Sequence, residues 1–79
     1  MSKRTKHNLD GLGLSTSQIE MLIKEWIHSR RDREIMRLKF LDKLSYEEVA
    51  YQVGLSTTQT KTVAYKSVDI IKAVCIQSI

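Results

Sequence analysis

Three serines, Ser15, Ser45 and Ser56, are each followed three residues later by Gln or Glu (Gln18, Glu48, Gln59), and this spacing limits what the chain can become. A serine hydroxyl can accept the backbone N–H three residues on, while the Gln or Glu there reaches back to the serine's own N–H. The reciprocal pair marks a helix start, so three starts are written into the sequence. Proline is absent and only three glycines occur, so little interrupts the helices between them.

The apolar residues behind these starts follow a helical period. After Ser15, the residues Ile19, Leu22, Ile23, Trp26 and Ile27 form one stripe, and Trp26 is expected to anchor the core. A second helix is expected from about Ser29, with Asp32 in its first turn. Its buried face is Ile35, Leu38 and Leu41, helped by Met36 or Phe40. A short third helix carries Val49, Ala50 and Val53 and stops at Gly54, where a left-handed backbone favours glycine. The fourth follows Ser56 and contains Val63, Val68, Ile71 and Cys75. The predicted fold is all-α: a four-helix domain over residues 15–79 with a C-terminal helix-turn-helix, preceded by a flexible basic arm over 1–14 that holds Lys3, Arg4 and Lys6.

Composition excludes several function classes. The chain has 79 residues, enough for one small domain. Its one cysteine allows no internal disulfide, and no metal site or cofactor is expected. No apolar run is long enough to span a membrane or to serve as a signal peptide, so the expected location is the cytoplasm. His7, His28 and Cys75 are scattered, and no metalloprotease motif or phosphate-cradling glycine loop is present, so an enzyme is not expected. Glu47 and Glu48 are adjacent and point to different faces, as first-turn acids do. The formal charge is +4, which favours a polyanionic partner.

Residues 46–65 have the pattern of a helix-turn-helix: a small residue, Ala50, where two helices cross, and Gly54 at the turn. Such a motif lays the start of its second helix in the major groove of double-stranded DNA. The candidates for base reading are Ser56, Thr57, Thr58, Lys61, Thr62 and Tyr65. The candidates for phosphate contact are Arg30, Arg33, Arg37, Lys39 and Lys66. Arg30, Arg33 and Arg37 share a helix face, and Glu34 is placed to pair with Arg30 or Arg37.

The stretch from Arg31 to Ala50 (RDREIMRLKFLDKLSYEEVA), followed by Val53-Gly54-Leu55-Ser56, resembles region 4 of bacterial sigma factors. The likeness extends over about residues 15–72, and a related pattern occurs in LuxR-type regulators. The resemblance implies a helix-turn-helix that reads the −35 promoter element and a surface that binds the flap of RNA polymerase. Small stand-alone proteins of this kind resemble transcription regulators of phages and mobile elements. The family usually places an Arg-Glu pair and a Gln where this chain has Thr57, Thr58 and Thr62, and an apolar residue where it has Thr60. Two functions follow: a DNA-binding transcription regulator, or a sigma-like module that binds RNA polymerase or another regulator with little DNA affinity.

The last helix carries a long apolar stripe, Ala64, Val68, Ile71, Cys75 and Ile79, widened by Val63, Ile70, Val74 and Ile76. Two coverings satisfy it. A second copy of the chain would form a two-fold dimer, which the breadth of the stripe favours. The stripe could instead close on Ile19, Leu22 and Trp26 of the same chain.

Overall fold

The computed structural model describes Leu9 and residues 13–77. Four helices follow in order: α1 (Thr16–Trp26), α2 (Arg30–Phe40), α3 (Tyr46–Val53) and α4 (Thr57–Gln77). Among the described residues there is no strand, and no helix is long and apolar enough to cross a membrane.

Each helix starts where a serine can cap it. Ser15 and Ser45 form complete capping boxes with Gln18 and Glu48. The Ser29 hydroxyl accepts the Asp32 N–H at 3.4 Å. Ser56 Oγ accepts the Gln59 N–H at 3.0 Å, and Gln59 Oε1 accepts the Ser56 N–H at 3.2 Å. These bonds satisfy donors that the first turn of a helix leaves without partners.

α3 ends as its glycine predicts. Gly54 is left-handed at φ +77°, and the N–H groups of Gly54 and Leu55 both donate to the Ala50 carbonyl, at 2.9 and 3.1 Å. The chain can then turn straight into α4. The loop after α2 uses the same backbone region without a glycine: Lys43 has φ +65°. An L-residue loses about 1 kcal/mol or more in that region, and glycine returns roughly half of this as extra unfolded-state entropy. Lys43→Gly is therefore expected to stabilise the fold by about 0.5 kcal/mol and raise the melting temperature by roughly 2–4 °C. A melting curve by circular dichroism checks this, and a lower midpoint would refute it.

α4 is the spine, packed against α1, α2 and α3 in turn. One core joins Ile23, Ile27, Ile35, Met36, Leu38, Val49, Ala64, Val68 and Ile71. Ala64, Val68 and Ile71 have no exposed surface. These three α4 residues thus close on the chain's own core. Ile70, 43 % exposed, is the large apolar α4 side chain left outward among the described residues. Ile79, assigned to the stripe, lies outside the described residues, as does the side chain of Ile76.

Three expectations are corrected. Trp26 is 44 % exposed and is no core anchor, while Ile23 and Ile27 are almost fully buried. The helix ends at Trp26, the extended Ile27 turns inward, and Trp26 sits about 60° around the helix from Ile23, at the edge of the buried face. Met36, not Leu41, completes the buried face of α2, because Leu41 is already the helix cap. Leu9, expected in the arm, is 3 % exposed within the core. The arm's basic residues Lys3, Arg4 and Lys6 lie outside the described residues.

Candidate nucleic-acid interface

From its start to Ile71, α4 separates into two faces. Thr60, Ala64, Ser67, Val68 and Ile71 are buried. Thr58, Lys61, Thr62 and Lys66 are exposed, and Tyr65 is half-buried. At about 100° per residue, the two sets fill separate arcs of the helix, with Lys61 at the boundary, about 20° from Val68. Thr60, which breaks the apolar pattern, causes no deficit: its hydroxyl donates to the Ser56 carbonyl at 2.9 Å, so the buried polar group is paired.

The six residues expected to read bases do not form one group. Thr58, Lys61 and Thr62 stand together on the outward face. Ser56 is engaged in the cap, where its hydroxyl also lies 3.2 Å from Gln59 Oε1. Thr57 is half-buried and faces the core side. The Thr62 hydroxyl donates to the Thr58 carbonyl at 3.1 Å, which leaves its lone pairs and methyl group outward. Tyr65 packs edge-on against Tyr46, with ring centroids 6.1 Å apart at 88°.

The basic residues of α2 also divide. Lys39 places its ammonium 4.4 Å from the centroid of the Tyr46 ring. Lys39, Tyr46 and Tyr65 thus make a row that joins α2, the start of α3 and the outward part of α4. Arg37 lies two residues from Lys39, hence about 200° around the helix, and faces α1 instead. It pairs there with Glu20 at 3.2 Å, not with Glu34. Arg33 turns the same way: its Nη1 donates to the carbonyls of Ile27 and His28 at 3.0 and 3.2 Å. Arg30 is exposed at the first turn of α2. Lys39 is therefore the α2 cation tied to Tyr46 at the start of α3, while Arg33 and Arg37 are tied to α1. Periodicity shows that Arg33 and Arg37 share a face but not which neighbour that face meets. The Lys39–Tyr46–Tyr65 row has no signature in spacing, since its members come from three helices.

Burial of Tyr46, reinforced by the nearby Tyr65 phenol, raises its pKa above the ordinary value of 10.0. The folded state holds this proton more tightly than the unfolded chain. Stability is therefore unaffected below pH 10 and falls as the pH rises through the folded value. In an ultraviolet titration of the folded protein, Tyr46→Phe is expected to remove an ionisation step lying above pH 10. Loss of a step at or below pH 10 would contradict the assignment.

Glu48 is occupied by its capping box, with Oε1 accepting the Ser45 N–H at 3.0 Å. Among the described residues, no group of three His, Cys, Asp or Glu side chains could hold a metal ion. Comparisons with protein-family models, with curated proteins and with solved structures found no match to this chain.

Proposed function

We propose that the chain is a DNA-binding transcription regulator whose helix-turn-helix, residues 46–65, lays the first half of α4 in a major groove. The observation that carries this reading is the exposed face Thr58, Lys61 and Thr62, outside the buried arc of α4 and directly after a left-handed turn at Gly54. These side chains suit base edges: threonine methyls meet thymine methyls, threonine hydroxyls are versatile partners, and lysine donates to guanine. Lys39 and Lys66 flank the face and suit phosphates. The resemblance of residues 31–56 to sigma region 4 supports the same role, with a base preference different from the family's because the family's Arg-Glu pair and Gln are absent.

The test is selection of bound duplexes from a random pool, followed by titration of the selected duplex at two salt concentrations. Lys61→Ala is expected to cost about 1–3 kcal/mol on the selected site and much less on unrelated DNA. Lys66→Ala is expected to weaken all sequences alike and to flatten the salt dependence by about one unit. Equal losses on all sequences for both variants would remove Lys61 from base reading. Absence of binding at low salt would refute the function.

A second reading rests on exposed apolar side chains. Met21 and Trp26 on α1 are 59 % and 44 % exposed, and such residues suit a protein partner. On that reading the domain binds RNA polymerase or another regulator and contacts DNA weakly.

A further inference from the structure

A cleft of about 440 Å³ opens between α1 and α2, lined by Glu20, Ile23, Lys24, Arg33 and Arg37. Three cationic side chains face one carboxylate, so the lining carries a net charge of +2. Arg33 is set in place by its two bonds to the carbonyls that end α1, and among the described residues its other N–H groups have no partner. Arg37 gives Nη2 to Glu20, and both side chains of that pair are about half exposed. Lys24 has no ion pair among the described residues. Two anchored guanidinium groups and a spare ammonium around one concavity are more than the fold needs.

We propose that this cleft binds a phosphomonoester with an organic body about the size of a nucleoside. A phosphomonoester carries roughly −1.5 to −2 charges at neutral pH, which matches the lining. Guanidinium forks fit its oxygens in pairs. The volume lies in the range of roughly 300–1,000 Å³ usual for small-molecule sites and leaves room for an organic body. Ile23, 1 % exposed, only closes the floor, and the aliphatic stems of Lys24, Arg33 and Arg37 are the apolar surface a ligand meets. Glu20 is the competitor: it holds Arg37, and the ligand phosphate takes its place. The cleft faces away from the Lys39–Tyr46–Tyr65 row, because Arg37 and Lys39 point to opposite sides of α2. It is therefore separate from the DNA-reading face, and the proposal stands or falls independently of the proposed function.

The test titrates the full chain with adenosine monophosphate, inorganic phosphate, adenosine and a short DNA duplex while backbone amide shifts are followed by NMR. The monophosphate is expected to move amides in residues 20–24 and 33–37 saturably, and adenosine is expected to leave them in place. Inorganic phosphate moving the same amides only at higher concentration supports a share of the binding for the organic body; equal affinity would overturn the proposal. Arg37→Gln and Lys24→Ala should each weaken binding about tenfold. Glu20→Gln should strengthen it several-fold by releasing Arg37, a gain that a merely structural ion pair would not give. Arg33 is left intact, since replacing it also frees the turn after α1. Melting temperatures close to the parent's show that the variants fold. Unmoved amides, equal shifts with adenosine, or weaker binding by Glu20→Gln would overturn the proposal. Shifts produced by the duplex but not by the monophosphate would make the cleft a DNA-backbone contact and overturn it too.

Discussion

Ile71→Asp is expected to abolish the cooperative thermal transition, while Ile70→Asp, one residue away, keeps it. Ile71 has no exposed surface and lies in the core shared by α1, α2 and α4. Removing a buried isoleucine side chain costs about 2–5 kcal/mol from lost packing alone. An aspartate there adds an unpaired carboxylate, which must stay charged at high cost or take up a proton. Domains have about 5–15 kcal/mol in all, and a domain this small belongs at the low end. Ile70 is 43 % exposed, so its aspartate can remain in water. Far-ultraviolet circular dichroism during heating reads both variants. A sigmoidal melt for Ile71→Asp, or a collapse for Ile70→Asp, would show that α4 is rotated from the orientation described.

The second large effect is at Gly54. A Cβ built there meets nothing within 4 Å, so space is not the constraint. The constraint is the backbone angle of +77°, which L-residues disfavour by roughly 1–2 kcal/mol. A β-branched side chain fits that region worst, since its branches strike the residue's own backbone. Gly54→Val is expected to cost about 2 kcal/mol or more, a fall of roughly 8–16 °C in a domain of this size. Gly54→Asn should cost clearly less, because asparagine tolerates the left-handed region. If both variants melt alike, backbone strain is not what selects glycine.

Helix starts were the most legible part of the fold, because a cap is a local device. Ser15, Ser45 and Ser56 satisfy donors within three residues of themselves, so spacing alone identifies them. Gly54 was legible for the same reason. Features that depend on how helices lie together were not. Trp26 belongs to the apolar stripe, yet only the angle at which α1 meets the core decides that Ile23 is inside and Trp26 at the edge. Leu9 has no periodic partner in the sequence, and its place in the core appears only with the tertiary structure. The candidate interface shows the same division. The outward residues Thr58, Lys61 and Thr62 follow from the phase of α4, whereas the pairing of Arg37 with Glu20 links positions 17 apart on different helices.

The separate faces of α4 bear on how such a protein can change over generations. Thr58, Lys61 and Thr62 share a helix with the core residues Val68 and Ile71 but contribute almost nothing to burial. Mutations at these three positions can accumulate without drawing on folding stability, provided that helix-breaking residues are avoided. If the proposed function holds, a lineage carrying this scaffold shifts its DNA target in single steps, each intermediate still folded. Fixed core and variable face, set side by side on one helix, make the molecule a readily diversified part.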